Sequence, residues 1–302
     1  MRNMSLKFPT LNQKTGECLL AAVIIARATS FLFSKLLLES MTPTNLLAVR
    51  FLIAFALLAI LFRKKLCGLQ WKTILRGMLL GGIFFSVMAA ELLALRTAPS
   101  STVSFLENTA IVFVPLLESI LLRRLPKLSI LLSIALALIG IALLTLGGGE
   151  TSFSAQPGIF FGLLAAILYA VAILVTDSLS RRDDPLTLGI LQVGFIGVFA
   201  LLVTCLFGQP QLPKTAVQWE MILMLAVVCS GFGFTLQPVA QRYTTAERTG
   251  MFCALSPVTA AVLGHLVLKE QFGLSSLLGA ILVLAGILLS NRMRMKEAAQ
   301  SA

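Results

Sequence analysis

The stretch 158–177, GIFFGLLAAILYAVAILVTD, decides the fold class, because its twenty residues carry one charge, Asp177, at the end. A bilayer core of about 30 Å requires roughly 20 apolar residues in a helix. Ten stretches of the chain meet this requirement, and turn residues such as Pro43, Pro157 and Pro185 separate them. The predicted spans are 18–38, 44–62, 74–95, 101–122, 128–146, 158–177, 186–207, 217–238, 247–268 and 274–291.

The composition agrees with a chain that lies in lipid. Of its 302 residues, 58% are hydrophobic and 12% are charged, whereas a soluble domain carries about 25% charged residues. Runs this long and continuous indicate helices, which satisfy their own backbone hydrogen bonds in lipid. We therefore predict an all-α integral membrane protein with ten transmembrane helices. The five cysteines show no C-x-x-C spacing and no Cys/His cluster, so neither a metal site nor a cofactor is predicted.

The distribution of Lys and Arg predicts the orientation. With the N-terminus inside, the tails and even-numbered loops hold 18 of the 24 basic residues, the odd-numbered loops hold three, and three lie within spans. Basic loops remain on the cytosolic side, so both termini are predicted to be cytosolic. The net charge of +11 then reflects loops that face an anionic leaflet, and a nucleic-acid partner is not predicted. The absence of organellar targeting favours a bacterial plasma membrane.

The chain also shows signs of an internal duplication. Shifting residues 94–143 by 146 positions aligns them with the second half without gaps. Five spans per half would make the second half enter from the opposite side, and such inverted repeats are common among secondary transporters, which bind substrate between the halves. The matched positions include Arg96 with Arg242, Ser129 with Ser275 and Gly140 with Gly286.

These features together predict the organisation of the chain. Two inverted five-helix repeats are joined by an external linker, flanked by cytosolic tails, and assembled as a monomer or homodimer. The predicted parts are the N-terminal tail 1–17, the first repeat 18–148, the linker 149–157, the second repeat 158–291 and the C-terminal tail 292–302.

A set of short stretches appears in a fixed order along nearly the whole chain. They are Ser30-Phe31-Leu32-Phe33-Ser34-Lys35, Pro43, Arg50-Phe51, Tyr169-Ala170, Asp184-Pro185, Ser256-Pro257 and Lys269-Glu270. In this set the chain resembles EamA-type members of the drug/metabolite transporter superfamily. The resemblance implies a ten-helix carrier, often an exporter of amino acids, other metabolites or drugs. One departure is Arg27-Ala28, where a Trp-Gly pair is common in the family; it places a charge deep in span one.

Two acidic residues are the first candidates for a site, because ionisable groups inside spans are costly and usually face a cavity or a partner. Glu107, beside Asn108 in span four, and Glu91 in span three lie at similar depth. Burial disfavours the charged form of a carboxyl group. Either residue would therefore suit a proton site or a counter-charge for a cationic or amino-bearing substrate. The alternative is a structural ion pair with Arg27, Lys35 or Arg96.

Arg27 and Tyr169 are candidates from corresponding positions. Arg27 lies ten residues into span one, opposite Tyr169 when Pro43 is aligned with Pro185. Repeat-related positions often face the same central axis. A guanidinium there could hold a substrate carboxylate bidentately, or it could compensate a carboxylate of span four. Tyr169 could donate a hydrogen bond to substrate, although packing is the more usual role of a buried Tyr.

Four further residues are predicted to be structural or to take part in gating. Lys35 and Arg50 lie nearer the span ends and could snorkel to an interface. Pro238, which follows Gln237, is expected to kink span eight. His265 is the single histidine and therefore cannot form a metal cluster alone; it is expected to be a packed core group.

The motifs restrict the classes of function. The sequence contains no Walker motif, no H-E-x-x-H and no Ser/His pair with a supporting acid, so an enzyme or an ATP-driven pump is not predicted. We predict a secondary transporter that exports small metabolites or drugs, with proton coupling through Glu107 or Glu91 as a hypothesis. The alternatives are an importer or facilitator of the same solutes and, from other classes, an intramembrane enzyme or a structural membrane protein.

Overall fold

A computed structural model describes residues 12–98, 100–123, 128–146 and 157–259, and towards the C-terminus 262, 274–275, 277–279, 281–286 and 289. All regular secondary structure named within these ranges is helical. The elements are α1 Gln13–Ala28, α2 Ser30–Leu37, α3 Pro43–Leu61, α4 Arg63–Leu66, α5 Trp71–Thr97, α6 Ser100–Asn108, α7 Ala110–Leu122, α8 Leu128–Leu146, α9 Pro157–Ser180, α10 Pro185–Phe207, α11 Ala216–Met224, the π-helix Leu225–Phe234, α12 Thr235–Gln241 and α13 Ala246–Cys253.

Within the described residues, six helical segments are long and apolar enough to cross a membrane, and they confirm predicted spans one, two, three, six, seven and eight. Predicted span four is divided into α6 and α7, and predicted span five corresponds to α8. Spans nine and ten lie partly outside the described residues, so the total of ten helices remains a prediction. The six segments are Gln13–Leu37, Pro43–Leu61, Trp71–Thr97, Pro157–Ser180, Pro185–Phe207 and Ala216–Gln241.

Three of the long helices, α3, α9 and α10, begin at a proline. Pro43 is the first residue of α3 and Pro185 is the first residue of α10, a position where the missing N–H has no intrahelical partner to lose. The carboxylate of Asp184 accepts hydrogen bonds from the backbone N–H and the hydroxyl of Thr187, at 3.1 and 2.6 Å, and so caps α10. Although burial opposes it, hydrogen bonds from Thr187 and Lys65 lower the pKa of Asp184 below its ordinary value.

Helices α3 and α10 cross at two reciprocal glycine contacts. A side-chain carbon at Gly194 would lie 2.7 Å from the ring of Phe55, and one at Gly197 would lie 3.0 Å from Leu52. The starts of α3 and α10 are 142 residues apart, and adding 142 to 52 and 55 gives 194 and 197. The residues of α3 at this crossing therefore correspond in position to the residues of α10 that they contact.

A second reciprocal contact joins α8 to the short apolar helix Leu277–Gly286. A side-chain carbon at Gly140 would lie 2.7 Å from the backbone nitrogen of Val283, and one at Gly286 would lie 3.2 Å from that of Ala137. Adding 146 to 137 and 140 gives 283 and 286, the shift found in the sequence. Small residues allow this close approach of two backbones.

The surface of the bundle carries many large apolar side chains. Ile60 and Phe207, for example, are 74% and 85% exposed. Soluble monomers rarely expose large contiguous apolar patches, whereas lipid tails are a matching environment for such a surface. Together with the six long apolar segments, this surface makes the chain a multi-pass membrane protein.

Candidate functional site

Three helix ends meet at the centre of the bundle. Thr29 separates α1 from α2, and its hydroxyl donates to the carbonyl of Ala26 at 2.8 Å. Thr109 separates α6 from α7 in the same manner, with its hydroxyl donating to the carbonyl of Leu106 at 2.5 Å. Helix α13 ends at Cys253. Irregular backbone at membrane depth is tolerated where protein buries it or where it lines a cavity.

Arg27 lies two residues before the first interruption, and its guanidinium contacts groups from both halves of the chain. Nη1 donates to the hydroxyl of Tyr169 at 2.7 Å and to the side-chain oxygen of Gln237 at 2.6 Å. The guanidinium carbon lies 4.1, 4.9 and 5.8 Å from the ring centroids of Phe234, Tyr169 and Phe84. Aromatic faces attract such a cation. Arg27 and Tyr169 therefore face each other, as the alignment of the two halves predicts.

Glu91 and Glu107 lie beside this guanidinium and are 2% and 6% exposed. Within the described part of the chain, Oε1 of Glu91 and Oε2 of Glu107 have no hydrogen-bond partner. The ion pairs in this part join other residues. Among the described residues neither carboxylate forms an ion pair with Arg27 in this conformation, and Nη1 of Arg27 instead donates to Tyr169 and Gln237. Burying a carboxylate without partners is costly, and a bound proton or a hydrogen-bond donor would lower that cost.

A small cavity lies between these groups. The volume that the centre of a water molecule can occupy in this cavity is about 30 Å³. This is room for about two waters. The cavity therefore has to widen before a metabolite can enter. The polar groups that line it include Arg27, Glu91, Glu107, Asn108, Tyr169 and Cys253.

Asn108 and Cys253 contribute to the cavity in different ways. The amide of Asn108 donates to the carbonyl of Ser104 at 2.7 Å, which leaves its side-chain oxygen and its second N–H for a ligand. The thiol of Cys253 lies 3.6 Å from the hydroxyl of Tyr169 and 3.2 Å from the carbonyl oxygen of Thr249. Cys253 was not predicted as a site residue, because buried cysteines usually behave as small apolar groups.

Arg50 does not reach an interface, so the prediction that it snorkels is wrong. The residue is fully buried, and its Nε donates to the hydroxyl of Ser230 at 2.7 Å. Its guanidinium carbon lies 4.9 Å from the ring centroid of Phe51. Helix α3 packs against α5, α10 and the π-helix, which leaves no open route for the side chain. Lys35 is partly buried and donates to the carbonyl of Ala98 at 3.4 Å; its role in gating remains a prediction.

The π-helix Leu225–Phe234 stands directly before α12, which contains Pro238. A proline frees the carbonyl four residues earlier, here that of Phe234, where π-helix gives way to α-helix. Such segments are rare and often occur at functional sites. This one presents Phe234 to Arg27 and Ser230 to Arg50. The distortion predicted near Pro238 thus coincides with a change of helix type, while His265 lies outside the described residues.

Several acidic residues near the helix ends differ from Glu91 and Glu107, because Lys and Arg side chains form ion pairs with them. These ion pairs join residues of predicted cytosolic loops and helix ends. They are Lys65 with Asp184 at 2.9 Å, Arg76 with Asp183 at 2.7 Å, Arg181 with Asp177 at 2.8 Å, and Arg248 with Glu17.

The sequence of the whole bundle matches a known family. The model of the EamA-like transporter family matches residues 14–146 and again residues 156–292. The chain belongs to this family. An uncharacterized transporter of Archaeoglobus fulgidus is 28% identical over 291 residues, which cover 93% of this chain and 98% of the relative. The uncharacterized transporter YetK of Bacillus subtilis is 26% identical over 280 residues, 89% of this chain and 84% of the relative.

A solved crystal structure shares the fold of this EamA-like transporter. The two superpose with a TM-score of 0.76 at 16% sequence identity, over 94% of this chain and 98% of the other. At that identity the likeness concerns the fold alone. The family match and the curated relatives together make the chain a transporter.

Proposed function

We propose that this transporter is a secondary carrier that exports small metabolites, such as amino acids and related compounds, or drugs, across the bacterial plasma membrane. The observation that carries the proposal is the small central cavity, where Glu91 and Glu107 are buried beside Arg27 and one oxygen of each has no partner among the described residues. Intramembrane ionisable groups that face a cavity mark substrate or proton pathways in membrane proteins.

Two inverted five-helix halves are the architecture that we propose around this cavity. The reciprocal contacts of α3 with α10, and of α8 with Leu277–Gly286, support it. A two-fold axis relates two copies of one structure so that each contact occurs twice with the partners exchanged. The family match falls in two consecutive segments of similar length, which supports the same division. Substrate would then bind on the axis, between the halves.

The polar groups of the cavity favour a substrate that carries an amine, with or without a carboxylate. The unpartnered oxygens of Glu91 and Glu107 are acceptors for an ammonium group. The guanidinium of Arg27 has donors besides Nη1, and these suit a carboxylate. A proton and an ammonium group would compete for the same carboxylates, so we propose exchange of substrate for protons.

We also propose that the N- and C-termini lie in the cytosol. The basic loops of the sequence support this orientation, because 18 of the 24 Lys and Arg residues fall on that side. Four ion pairs brace this predicted cytosolic end of the bundle in the structure. Export then runs from this end to the opposite one.

The test is growth of a sensitive bacterial host that expresses the protein. Cells would be exposed in turn to toxic amino acids and their analogues, purines and lipophilic cations. The variants are Glu107→Gln and Arg27→Ala, and the matched control is Glu220→Gln, which removes an exposed carboxylate at a helix face. Wild type and the control should protect against one chemical class, and the two site variants should not.

The screen also separates the alternatives. Sensitisation to a compound, in place of protection, would indicate uptake through the same site. Absence of any effect with the protein present in the membrane would contradict export of these solute classes. Equal protection by wild type and Glu107→Gln would show that transport does not depend on this carboxylate.

A further inference from the structure

When the shifts of 142 and 146 are applied, residues of the central site fall into pairs that occupy corresponding positions in the two halves of the chain. The shift of 142 relates α3 to α10 and extends back along α1 and α9, and the shift of 146 relates the later helices. Every member of these pairs is in contact with the cavity or with Arg27. The pairs are Arg27 with Tyr169, Glu91 with Gln237, and Glu107 with Cys253.

The contacts within the site do not obey the symmetry of these positions. Arg27 donates to Gln237 at 2.6 Å, and the corresponding bond would join Tyr169 to Glu91. That bond is absent from the described residues, where Oε1 of Glu91 has no partner. A second contact in the site also lacks its counterpart. The thiol of Cys253 contacts the hydroxyl of Tyr169 at 3.6 Å. The corresponding Arg27–Glu107 contact is likewise absent among the described residues.

We propose that Gln237 and Cys253 are positioning residues of the site, and that transport exchanges the partners of Arg27 and Tyr169. In the opposite-facing state Arg27 leaves Gln237 for Glu107, and Tyr169 leaves Cys253 for Glu91. The physical basis is that inverted repeats alternate access by rocking against each other around a fixed site. A contact made by one half in the present state is then made by the other half in the second state. This inference rests on the proposed carrier function.

The exchange accounts for the two buried carboxyl groups without partners. Each gains a donor in the second state, so the cost of burying it in one state is offset in the other. The ion pair of Arg27 with Glu107 also occupies the carboxylate that would hold a ligand, which favours release on the side that opens. Arg27, Glu91 and Glu107 all come from the first half of the chain, whereas their counterparts are neutral. The two states are therefore electrostatically different, even though the backbone positions correspond.

The test measures how fast N-ethylmaleimide labels Cys253, in purified protein whose other four cysteines are replaced by serine. In the present state Cys253 is 3% exposed and the cavity has room for about two waters. Labelling therefore reports departure from this state. Gln237→Ala removes a partner of Arg27 in the present state and should speed labelling about tenfold, the effect of losing a hydrogen bond to a charged group. Glu107→Gln removes the ion pair of the second state and should slow labelling.

The control is Gln241→Ala, which truncates a fully buried glutamine one helical turn beyond Gln237 on α12. It should label at the wild-type rate. Loss of the negative charge in Glu107→Gln would by itself make the thiol more reactive, since thiolate is the nucleophile. A slower rate in that variant is therefore not a direct effect of charge on Cys253.

Each outcome decides the proposal. Opposite changes in Gln237→Ala and Glu107→Gln, with an unchanged control, support the exchange of partners. A wild-type or faster rate in Glu107→Gln overturns it, and this variant decides alone if Gln237→Ala does not fold. Equal acceleration in Gln237→Ala and Gln241→Ala also overturns it, since general loosening would then explain both. Labelling requires no substrate, so the proposed carrier function is tested separately by the growth screen.

Discussion

The guanidinium of Arg27 and the hydroxyl of Tyr169 lie 2.7 Å apart, and the two residues occupy positions that correspond at a shift of 142. In the proposed two-fold arrangement a residue on the axis contacts its own counterpart, as Arg27 contacts Tyr169. The bond thus joins the two halves of the chain at the depth of the cavity. Any movement of one half against the other has to preserve, stretch or break it.

Replacing Arg27 with Lys should therefore impair transport although the charge is retained. Lysine is shorter, and its ammonium lacks the planar guanidinium that places Nη1 between Tyr169 and Gln237 while it lies over the rings of Tyr169 and Phe234. Because a hydrogen bond to a charged group contributes about 1.5–3 kcal/mol, we expect transport to fall by about tenfold or more. The measurement is solute flux into proteoliposomes, with Arg96→Lys as the matched control at an exposed arginine. Full activity in Arg27→Lys would mean that charge alone is required.

The position of Arg27 opposite Tyr169 could be predicted from the sequence, since it needs nothing beyond the alignment of Pro43 with Pro185. The apolar spans were predicted for a similar reason, because their length and composition are set by the bilayer. The burial of Arg50 could not be predicted in this way. Its distance from the helix end allows snorkelling, and the packing of α3 against three neighbours is a tertiary property.

Replacing Glu107 with Gln should abolish the pH dependence of transport if this carboxyl group exchanges substrate for protons. Glutamine has nearly the same shape but neither binds nor releases a proton, so flux would no longer respond to pH through this site. The measurement is substrate counterflow over a pH series around neutrality, beside wild type and Glu220→Gln. A pH profile like that of wild type would exclude Glu107 as the coupling site and direct attention to Glu91.

The roles proposed for Gln237 and Cys253 are the part of the site that was not predicted from the sequence. A signal existed, because adding 146 to 91 and 107 yields these two positions. A cysteine in an apolar span usually behaves as a small apolar group, and the sequence presents Gln237 only as a polar group beside Pro238. Their significance comes from Arg27 and Tyr169, which contact them across the bundle.

Removing the cap of α10 should lower stability without affecting the site. Asp184→Ala loses the hydrogen bonds to Thr187 and is expected to cost about 1 kcal/mol. The folded state holds the pKa of Asp184 below its ordinary value of 3.8. Its contribution is therefore fully present above that value and disappears as the pH falls through the lower, folded value. The measurement is the melting temperature in detergent at neutral and acidic pH.

Asp184→Asn is the matched control for the cap. Asparagine is an equally good N-cap residue, so it should retain most of the stability while it loses the charge that pairs with Lys65 at 2.9 Å. A melting temperature as low as that of Asp184→Ala would show that the ion pair, rather than the cap, is what stabilises this end of the bundle.

The reciprocal glycine contact of Gly140 and Gly286 provides a test of the two-fold arrangement itself. A methyl group at Gly140 would lie 2.7 Å from backbone atoms of the facing helix, and one at Gly286 would lie 3.0 Å from them. Neither backbone can yield as a flexible side chain could, so Gly140→Ala and Gly286→Ala should each lower stability by about 1–3 kcal/mol. The matched control is Gly82→Ala, where the nearest atom would lie at 3.5 Å. There the higher helix propensity of Ala should raise stability by about 1 kcal/mol.

Melting temperatures that fall in both variants and rise in the control would support the contact as it is described. If one variant of the pair melted like the control, its helix would not pack at this contact, and the reciprocal arrangement would be wrong there.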